Sequence, residues 1–170
     1  TTIKSKDKYN RMAGFYDLHS KLAEKIWFTQ WRKQFFAPLK GNILEVGIGT
    51  GKNIEFYDKD AKVIGIDFSE KMLEKARERL IKSGTENITL KQMDAENLNF
   101  KDNSFDYVIT SCVFCSVPNP IKGLKEIRRV LKPTGELVML EHVLSKNQII
   151  ALIEHILNPI TKYIMGVNIN

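Results

Sequence analysis

The stretch NILEVGIGTGKN, residues 42–53, decides the fold class. It joins an apolar run of the kind that forms buried strands to a loop with glycine at positions 47, 49 and 51. A buried strand that ends in a glycine-rich loop is typical of the first strand of an α/β domain, where the loop contacts a ligand. The spacing within the loop limits which ligand that can be.

Two phosphate-binding patterns can be tested against this spacing. A P-loop needs a glycine five positions before the Gly51–Lys52 pair, but that position is Val46, and asparagine follows the lysine where Ser or Thr is required. The P-loop is therefore excluded. A dinucleotide fingerprint that starts at Gly47 needs glycine at position 52, so the lysine there weakens this alternative without excluding it. Glu45, just before the loop, would repel a pyrophosphate and attract a cationic ligand.

Around this loop, short β-branched runs alternate with longer helical patterns. One predicted helix follows a Ser69 N-cap and ends at Gly84, and a second opens at Pro120 and closes at the KPTG sequence of residues 132–135. In the second helix, Leu124, Ile127 and Leu131 are predicted to share one face. The predicted strands are 42–48, 62–68, 87–94, 105–113 and 135–143.

This alternation predicts the fold class. Strands that alternate with helices require right-handed crossovers and form a parallel sheet with helices on both faces. We therefore expect an α/β, Rossmann-like, doubly wound and mostly parallel sheet of five strands in the order 3-2-1-4-5. Ligands of such sheets bind outside the carboxyl ends of the strands, which is where residues 47–51 lie.

Composition narrows the class of protein. The 170 residues are 43% hydrophobic and 27% charged, which is ordinary for a single soluble domain, and no segment resembles a membrane span or a signal peptide. Cys112 and Cys115 cannot complete a four-ligand zinc site, so no metal is expected, and we expect reduced thiols in a cytoplasm. Because both fall in a predicted apolar strand, core packing is favoured over a redox pair.

The positive charge is concentrated at the beginning of the sequence. Residues 1–40 hold nine basic and three acidic residues, which accounts for the whole formal charge of +6. A solvated helix face is the first interpretation, and peripheral contact with an anionic membrane is the second. No nucleic-acid partner is expected.

Several further motifs occur in a recognisable order. EVGIGTG at 45–51 resembles the E/D-x-G-x-G-x-G motif of class I S-adenosylmethionine-dependent methyltransferases. Four later segments resemble the later motifs of that superfamily. They are GIDFS, QMDAENLNF, FDYVITSCVFCSVPNP and LKEIRRVLKPTGELVMLEHV. The resemblance covers roughly residues 9–143. YNRMAGFYD, FCSV and LEHV make the chain most similar to the branch of phospholipid N-methyltransferases, quinone C-methyltransferases and methyltransferase-like thiol methylators.

The resemblance implies a cofactor site for S-adenosylmethionine, with S-adenosylhomocysteine as product. Loop glycines would admit the methionyl part, Asp67 would accept hydrogen bonds from the ribose diol, and Phe68 would contact the adenine. The residues implied to bind the cofactor are Glu45, Gly47, Gly49, Gly51, Asp67, Phe68, Met72, Asp94, Ala95, Ser111 and Cys112.

Structural alternatives stand beside these roles. The glycines could only form turns, Asp67 could only cap the helix after it, and Asp94 could be an ordinary loop carboxylate. Phe68 and Met72 could be simple core residues.

Methyl transfer needs a base only when the acceptor must lose a proton, and His142 and Tyr16 are the candidates. His142 could equally be a structural residue bonded to a backbone carbonyl. We expect methyl transfer to a small or lipid-like acceptor by in-line displacement. The alternatives are an NAD-type oxidoreductase and a noncatalytic cofactor-binding module.

The resemblance also implies a division of the chain. Residues 1–40 are expected to form a helical lid, 41–143 the cofactor-binding core and 144–170 a C-terminal helix and tail. The class I sheet has seven strands, the last two forming an antiparallel hairpin, and no such hairpin is predicted after residue 143. We therefore expect a fragment of a longer chain; the alternative is a product that ends with five strands.

Overall fold

The computed structural model describes residues 29–141, 146–147, 156 and 158. Within them, five parallel strands form one sheet in the order β3-β2-β1-β4-β5, as the sequence predicted. The strands are β1 (Asn42–Val46), β2 (Lys62–Asp67), β3 (Ile88–Gln92), β4 (Phe105–Ser111) and β5 (Leu131–Leu140). The order reverses between β1 and β4, so the loop after β1 lies at the switch point where such sheets bind ligands.

In the described part of the chain, one α-helix precedes β1, and two α-helices and a short 3₁₀ helix connect the strands. The Ser69 hydroxyl accepts a hydrogen bond from the Met72 N–H at 3.3 Å, and Gly84 closes the same helix in a left-handed conformation, so both predicted ends are confirmed. The helices are α1 (Thr29–Phe36), the 3₁₀ helix (Ile54–Phe56), α2 (Glu70–Ser83) and α3 (Pro120–Val130).

The helices cover both faces of the sheet. On one face, Phe36 of α1 and Leu73 of α2 belong to a buried cluster with Ile43 and Ile109 of the sheet. On the other face, the apolar side of α3 packs against a second cluster that includes Leu44. Because each helix buries one apolar stripe, the sheet is held rigidly between two layers, and its carboxyl edge presents the loops.

Two details differ from the sequence-based expectation. Leu124, Ile127 and Leu131 were predicted to share one face of α3, but Leu124 is 38% exposed, because the helix turns Gly123, Ile127 and Val130 toward the sheet. Leu131 is the first residue of β5 and does not belong to the helix. The fifth strand begins earlier than predicted, at Leu131, and an irregularity in its pairing with β4 takes up the extra residues.

Other predictions fall on residues outside the described part. Tyr16 and His142 lie there, together with most of the predicted C-terminal helix and tail and all of the predicted lid before residue 29. No helix among the described residues has the length and apolar character that a bilayer crossing requires.

Candidate functional site

A cleft opens at the carboxyl ends of the strands, beside the glycine loop. The cleft is partly open to solvent, and its empty space, including the open part, is about 730 Å³. Most of the predicted cofactor residues meet there. Those that line the cleft are Gly47, Gly49, Asp67, Phe68, Met72, Asp94, Ala95, Ser111 and Cys112.

Gly47 and Gly49 explain the shape of the cleft next to β1. Both have positive φ, 71° and 57°, which side chains other than glycine rarely tolerate. A Cβ on Gly47 would collide with the Val113 side chain, so glycine lets the opposite wall of the cleft pack onto the loop. A Cβ on Gly49 would have only the Gly47 carbonyl oxygen within 4.0 Å, so this position borders open space that a ligand can enter.

Four backbone N–H groups of this loop already have protein acceptors. Those of Gly47 and Ile48 both donate to the Ile66 carbonyl, at 2.8 and 2.9 Å, and that of Gly51 donates to the Ile48 carbonyl at 3.0 Å. The Gly49 N–H donates to Asp67. A pyrophosphate site needs such groups, together with a helix N-terminus, turned toward the ligand. Here the loop leads only into the three-residue 3₁₀ helix.

Asp67 is the buried acid of the cleft, at 7% exposure. Its Oδ2 accepts the Gly49 N–H at 3.0 Å and its Oδ1 accepts the Ser69 N–H at 2.8 Å. Burial raises the pKa of Asp67 to about 6, against the lowering effect of these backbone hydrogen bonds. Each carboxylate oxygen keeps a further lone pair, so the residue can hold the loop and also accept hydrogen bonds from a ligand diol.

Glu45 is buried outside the cleft: it is 1% exposed and is not among the residues that line the cleft. Its carboxylate accepts hydrogen bonds from Asn53 Nδ2 at 2.6 Å and from the Tyr57 hydroxyl at 2.8 Å. Burial raises the pKa of Glu45 to about 7, while the bonds from Tyr57 and Asn53 act in the opposite direction. The residue ties the chain after the glycine loop to β1, and direct contact with a cofactor stays a prediction.

Gly51 is the other predicted residue outside the cleft. A Cβ there would lie 2.5 Å from the Ile54 side chain and 3.2 Å from Ala76 of α2. The third glycine of the motif therefore permits close packing of the loop on α2, and the cleft itself is bordered by the first two.

The loop after β3 carries Asp94 and Ala95 to the rim of the cleft. Asp94 Oδ1 accepts the Glu96 N–H at 2.9 Å, and Glu96 Oε1 accepts the Asn119 N–H at 2.8 Å. Arg129 of α3 donates to the carbonyls of Phe100 and Leu98, both at 2.7 Å. These bonds fix the loop to α3, so Asp94 and Ala95 are held on a supported segment.

Sequence reasoning missed most of the wall opposite the glycine loop. Cys112 and Cys115 were predicted within a strand, but β4 ends at Ser111, and Cys112 adopts a positive φ of 57° in the turn that follows. Glu141 accepts the N–H groups of Val113 and Phe114, at 2.9 and 3.2 Å from its Oε2. The remaining residues that line the cleft are Val46, Ile66, Met93, Val113, Ser116, Val117 and Pro118.

The only sequence signal for Glu141 is its position at the carboxyl end of the fifth strand, next to His142. The left-handed turn at Cys112 has no local sequence signature, because glycine or asparagine usually occupies such positions.

The charge of the cleft completes its chemical description. None of its lining residues is Lys or Arg, while Asp67 and Asp94 supply carboxylates. Among the described residues, no group of three or more His, Cys, Asp or Glu side chains could hold a metal ion. The arrangement suits a ligand with a hydroxyl diol, a flat apolar part and no phosphates, and it disfavours a dinucleotide.

Sheet order, glycine loop and a buried acid at the end of β2 together define a Rossmann-like nucleoside-binding domain of the class I methyltransferase type. The family comparison agrees, because residues 44–139, more than half of the chain, match the model of the family described as methyltransferase domain. The chain belongs to this family.

Two curated relatives and one solved structure show the extent of the similarity. The chain is 42% identical over 103 residues to a phosphatidylethanolamine N-methyltransferase of Cereibacter sphaeroides, covering 60% of this chain and 51% of the relative. It is 37% identical over 155 residues to a demethylmenaquinone methyltransferase of Lactobacillus johnsonii, covering 86% and 64%. A SAM-dependent methyltransferase of Aquifex aeolicus superposes with a TM-score of 0.66 and 25% identity, covering 82% of this chain and 76% of that one.

The chain thus spans between half and two thirds of the length of these curated relatives. S-adenosylmethionine fits the cleft on the structural grounds above: Asp67 has lone pairs for a ribose diol, and the space beside Gly49 is open. The absence of lining cations also suits a sulfonium, which carries a positive charge. The NAD-type alternative is disfavoured by the same features.

Proposed function

We propose that this chain binds S-adenosylmethionine in the cleft and transfers its methyl group to a small or lipid-like acceptor. One observation carries the proposal: Asp67 and Gly49 border a cation-free cleft, while the N–H groups of Gly47, Ile48, Gly49 and Gly51 are occupied by protein acceptors. A nucleoside with a sulfonium satisfies this arrangement, and a pyrophosphate does not.

Each part of the cofactor has a proposed partner. Asp67 accepts hydrogen bonds from the ribose hydroxyls, and Phe68 and Met72 pack on the adenine. Asp94 and the adjacent Ala95 backbone bind the amino edge of the adenine, supported by the ties of their loop to α3. Ser111 and Cys112 border the methionyl arm, across the cleft from Gly47.

The protein's part in catalysis is mainly positioning. The bound cofactor supplies a methyl group that its sulfonium already activates. Residues of the cleft must hold donor and acceptor in line at close distance and exclude water. The wall formed by Val113, Val117 and Pro118 is apolar, which suits this exclusion. His142 and Tyr16 remain the proposed bases for an acceptor that must lose a proton.

The acceptor class rests on the relatives. Phosphatidylethanolamine and demethylmenaquinone, named for the two curated relatives, are both lipophilic molecules. We propose an acceptor of this kind, with residues 1–40 as a lid over the core 41–143 and 144–170 as a C-terminal helix and tail. Contact of the basic first 40 residues with an anionic membrane is part of the same proposal.

Transfer of label from methyl-labelled S-adenosylmethionine tests this function. Phosphatidylethanolamine vesicles and a reduced demethylmenaquinone in detergent are offered separately, with S-adenosylhomocysteine as inhibitor. We expect labelled product from one of the two acceptors, and much less of it with the Asp67→Ala variant. Cofactor binding without transfer to either acceptor would contradict the proposed acceptor class.

A further inference from the structure

The outward face of α3 has an unusual composition for a helix surface. Ile121 is 66% exposed and Leu124 is 38% exposed. Lys125 and Arg128 are exposed as well. These four residues have the spacing i, i+3, i+4 and i+7, so they form one stripe opposite the buried Gly123, Ile127 and Val130. We call these four residues the α3 stripe.

The α3 stripe is basic and contains no acid. Within the part of the chain that the structure describes, Lys125 and Arg128 form no ion pair. The helix has one acid, Glu126, which accepts hydrogen bonds from Arg129 and from the Leu98 N–H at 2.9 Å, so it is turned away from the stripe. Two uncompensated cations therefore follow two exposed aliphatic side chains along the same side of the helix.

This stripe begins beside the mouth of the cleft. Pro118 lines the cleft, and the Asn119 side chain caps α3 by accepting the Lys122 N–H at 3.1 Å. The helix also approaches the cleft wall at Gly123, where a Cβ would lie 3.6 Å from the side chain of Val117, which lines the cleft. Ile121 is thus within one helical turn of the rim.

We propose that the α3 stripe docks the protein on an anionic phospholipid bilayer and places the mouth of the cleft next to the lipid phase. Exposed aliphatic side chains insert at the headgroup boundary, and Lys and Arg beside them are attracted to anionic lipids. A folded acidic partner would account for the two cations but not for the exposure of the aliphatic Ile121 and Leu124 beside them. The inference rests on the proposed lipid-like acceptor, which such docking would bring to the cleft directly.

Cosedimentation with vesicles tests the docking. The probes are vesicles of equal parts phosphatidylglycerol and phosphatidylcholine, and vesicles of phosphatidylcholine alone, at low and high salt. We expect wild-type protein to bind the anionic vesicles at low salt and to dissociate at high salt. The double variant Lys125→Glu/Arg128→Glu should bind about tenfold more weakly or worse, and Ile121→Ser about fivefold more weakly.

Matched controls lie on α2. Ile81 is 81% exposed in the last turn of that helix, next to the exposed Lys82. Ile81→Ser and Lys82→Glu remove the same kinds of group far from the rim, and binding should stay at the wild-type level. These controls also separate the α3 stripe from the basic first 40 residues, which every variant retains.

The inference is overturned if the α3 variants bind like wild type, if the α2 controls weaken binding equally, or if the neutral vesicles bind as well. Binding to soluble polyglutamate but not to vesicles would also overturn it in favour of an acidic protein partner. Stabilisation by S-adenosylhomocysteine is measured in parallel with every variant. Its absence in wild type would refute the proposed function alone, and its presence without vesicle binding would refute the docking alone.

Discussion

Glu45 and Asp67 are both buried acids at the carboxyl ends of neighbouring parallel strands, and they serve different regions of the molecule. Glu45 does not line the cleft, and its carboxylate is bonded to Asn53 and Tyr57, which lie later in the chain. Asp67 borders the cleft and accepts backbone N–H groups. Burial raises the pKa of both carboxyl groups.

The difference shows that an acid at a strand end is not by itself a ligand-binding signal. Backbone bonds to Asp67 fix its position beside the cleft, and each carboxylate oxygen keeps a further lone pair. Bonds to Glu45 come from side chains in a closed interior, so they contribute to the stability of the loop. Substitution at Glu45 should therefore change folding, and substitution at Asp67 should change binding.

The largest expected effect is on stability. Glu45→Ala leaves two buried donors, Asn53 Nδ2 and the Tyr57 hydroxyl, without their acceptor. We expect the free energy of unfolding to fall by about 3 kcal/mol, because each unsatisfied buried donor costs about 1–3 kcal/mol. Urea denaturation measures this. Glu45→Gln keeps one acceptor, so its free energy of unfolding should fall by less. An unchanged urea midpoint for Glu45→Ala would contradict the structural role of the Glu45 carboxylate.

The next effect is on affinity. Asp67→Ala should weaken binding of S-adenosylhomocysteine about 30-fold, because it removes the proposed charged acceptor of the ribose diol. Isothermal titration calorimetry measures this loss of affinity. The affinity of Asp67→Asn should lie between those of wild type and Asp67→Ala. If Asp67→Ala binds as tightly as wild type, the ribose role belongs to another residue.

A smaller loss of affinity is expected from a change in the cleft wall opposite the glycine loop. Glu141 holds the Val113 and Phe114 N–H groups, and Val113 packs on Gly47. Glu141→Ala should reduce affinity for S-adenosylhomocysteine about tenfold and Glu141→Gln about threefold, because charge-assisted bonds are the stronger ones. Equal losses in the two variants would show that side-chain volume, rather than the carboxylate, supports the wall.

The last expected effect is a dependence of stability on pH, and it comes from Glu45. The pKa of Glu45 is raised from 4.5 to about 7 in the folded state, so the folded protein holds a proton that the unfolded chain has released. Stability from this group is fully present below about pH 4.5 and is lost as the pH rises through about 7. Relative to Glu45→Gln, wild type should therefore become less stable across this window. Parallel pH dependences would contradict the raised pKa.

The sequence predicted much of this molecule for physical reasons that can be named. Strand and helix periodicity predicted the parallel α/β sheet, and the Ser69 cap and the Gly84 stop predicted α2. Leu124 was misplaced because helical spacing alone does not say which of two apolar stripes faces the sheet.

The candidate site was predictable where it depends on strand ends, as for Gly49 and Asp67. It was not predictable where it depends on long-range packing. Glu45 and Gly51 belong to the motif but do not line the cleft. Their contacts are with residues later in the chain, such as Tyr57 for Glu45 and Ala76 for Gly51. The wall at Val113 depends on Glu141, 28 residues further along the chain, and no local pattern encodes that contact.

The most direct measurement of the central claim is thermal melting of the wild-type protein with S-adenosylhomocysteine and with NAD, side by side. At a ligand concentration about 100 times the dissociation constant, binding stabilises a folded protein by about 2.7 kcal/mol, or about 5–10 °C for a domain of this size. We expect this increase with S-adenosylhomocysteine and none with NAD. An increase with NAD and none with S-adenosylhomocysteine would contradict the assignment of the cleft.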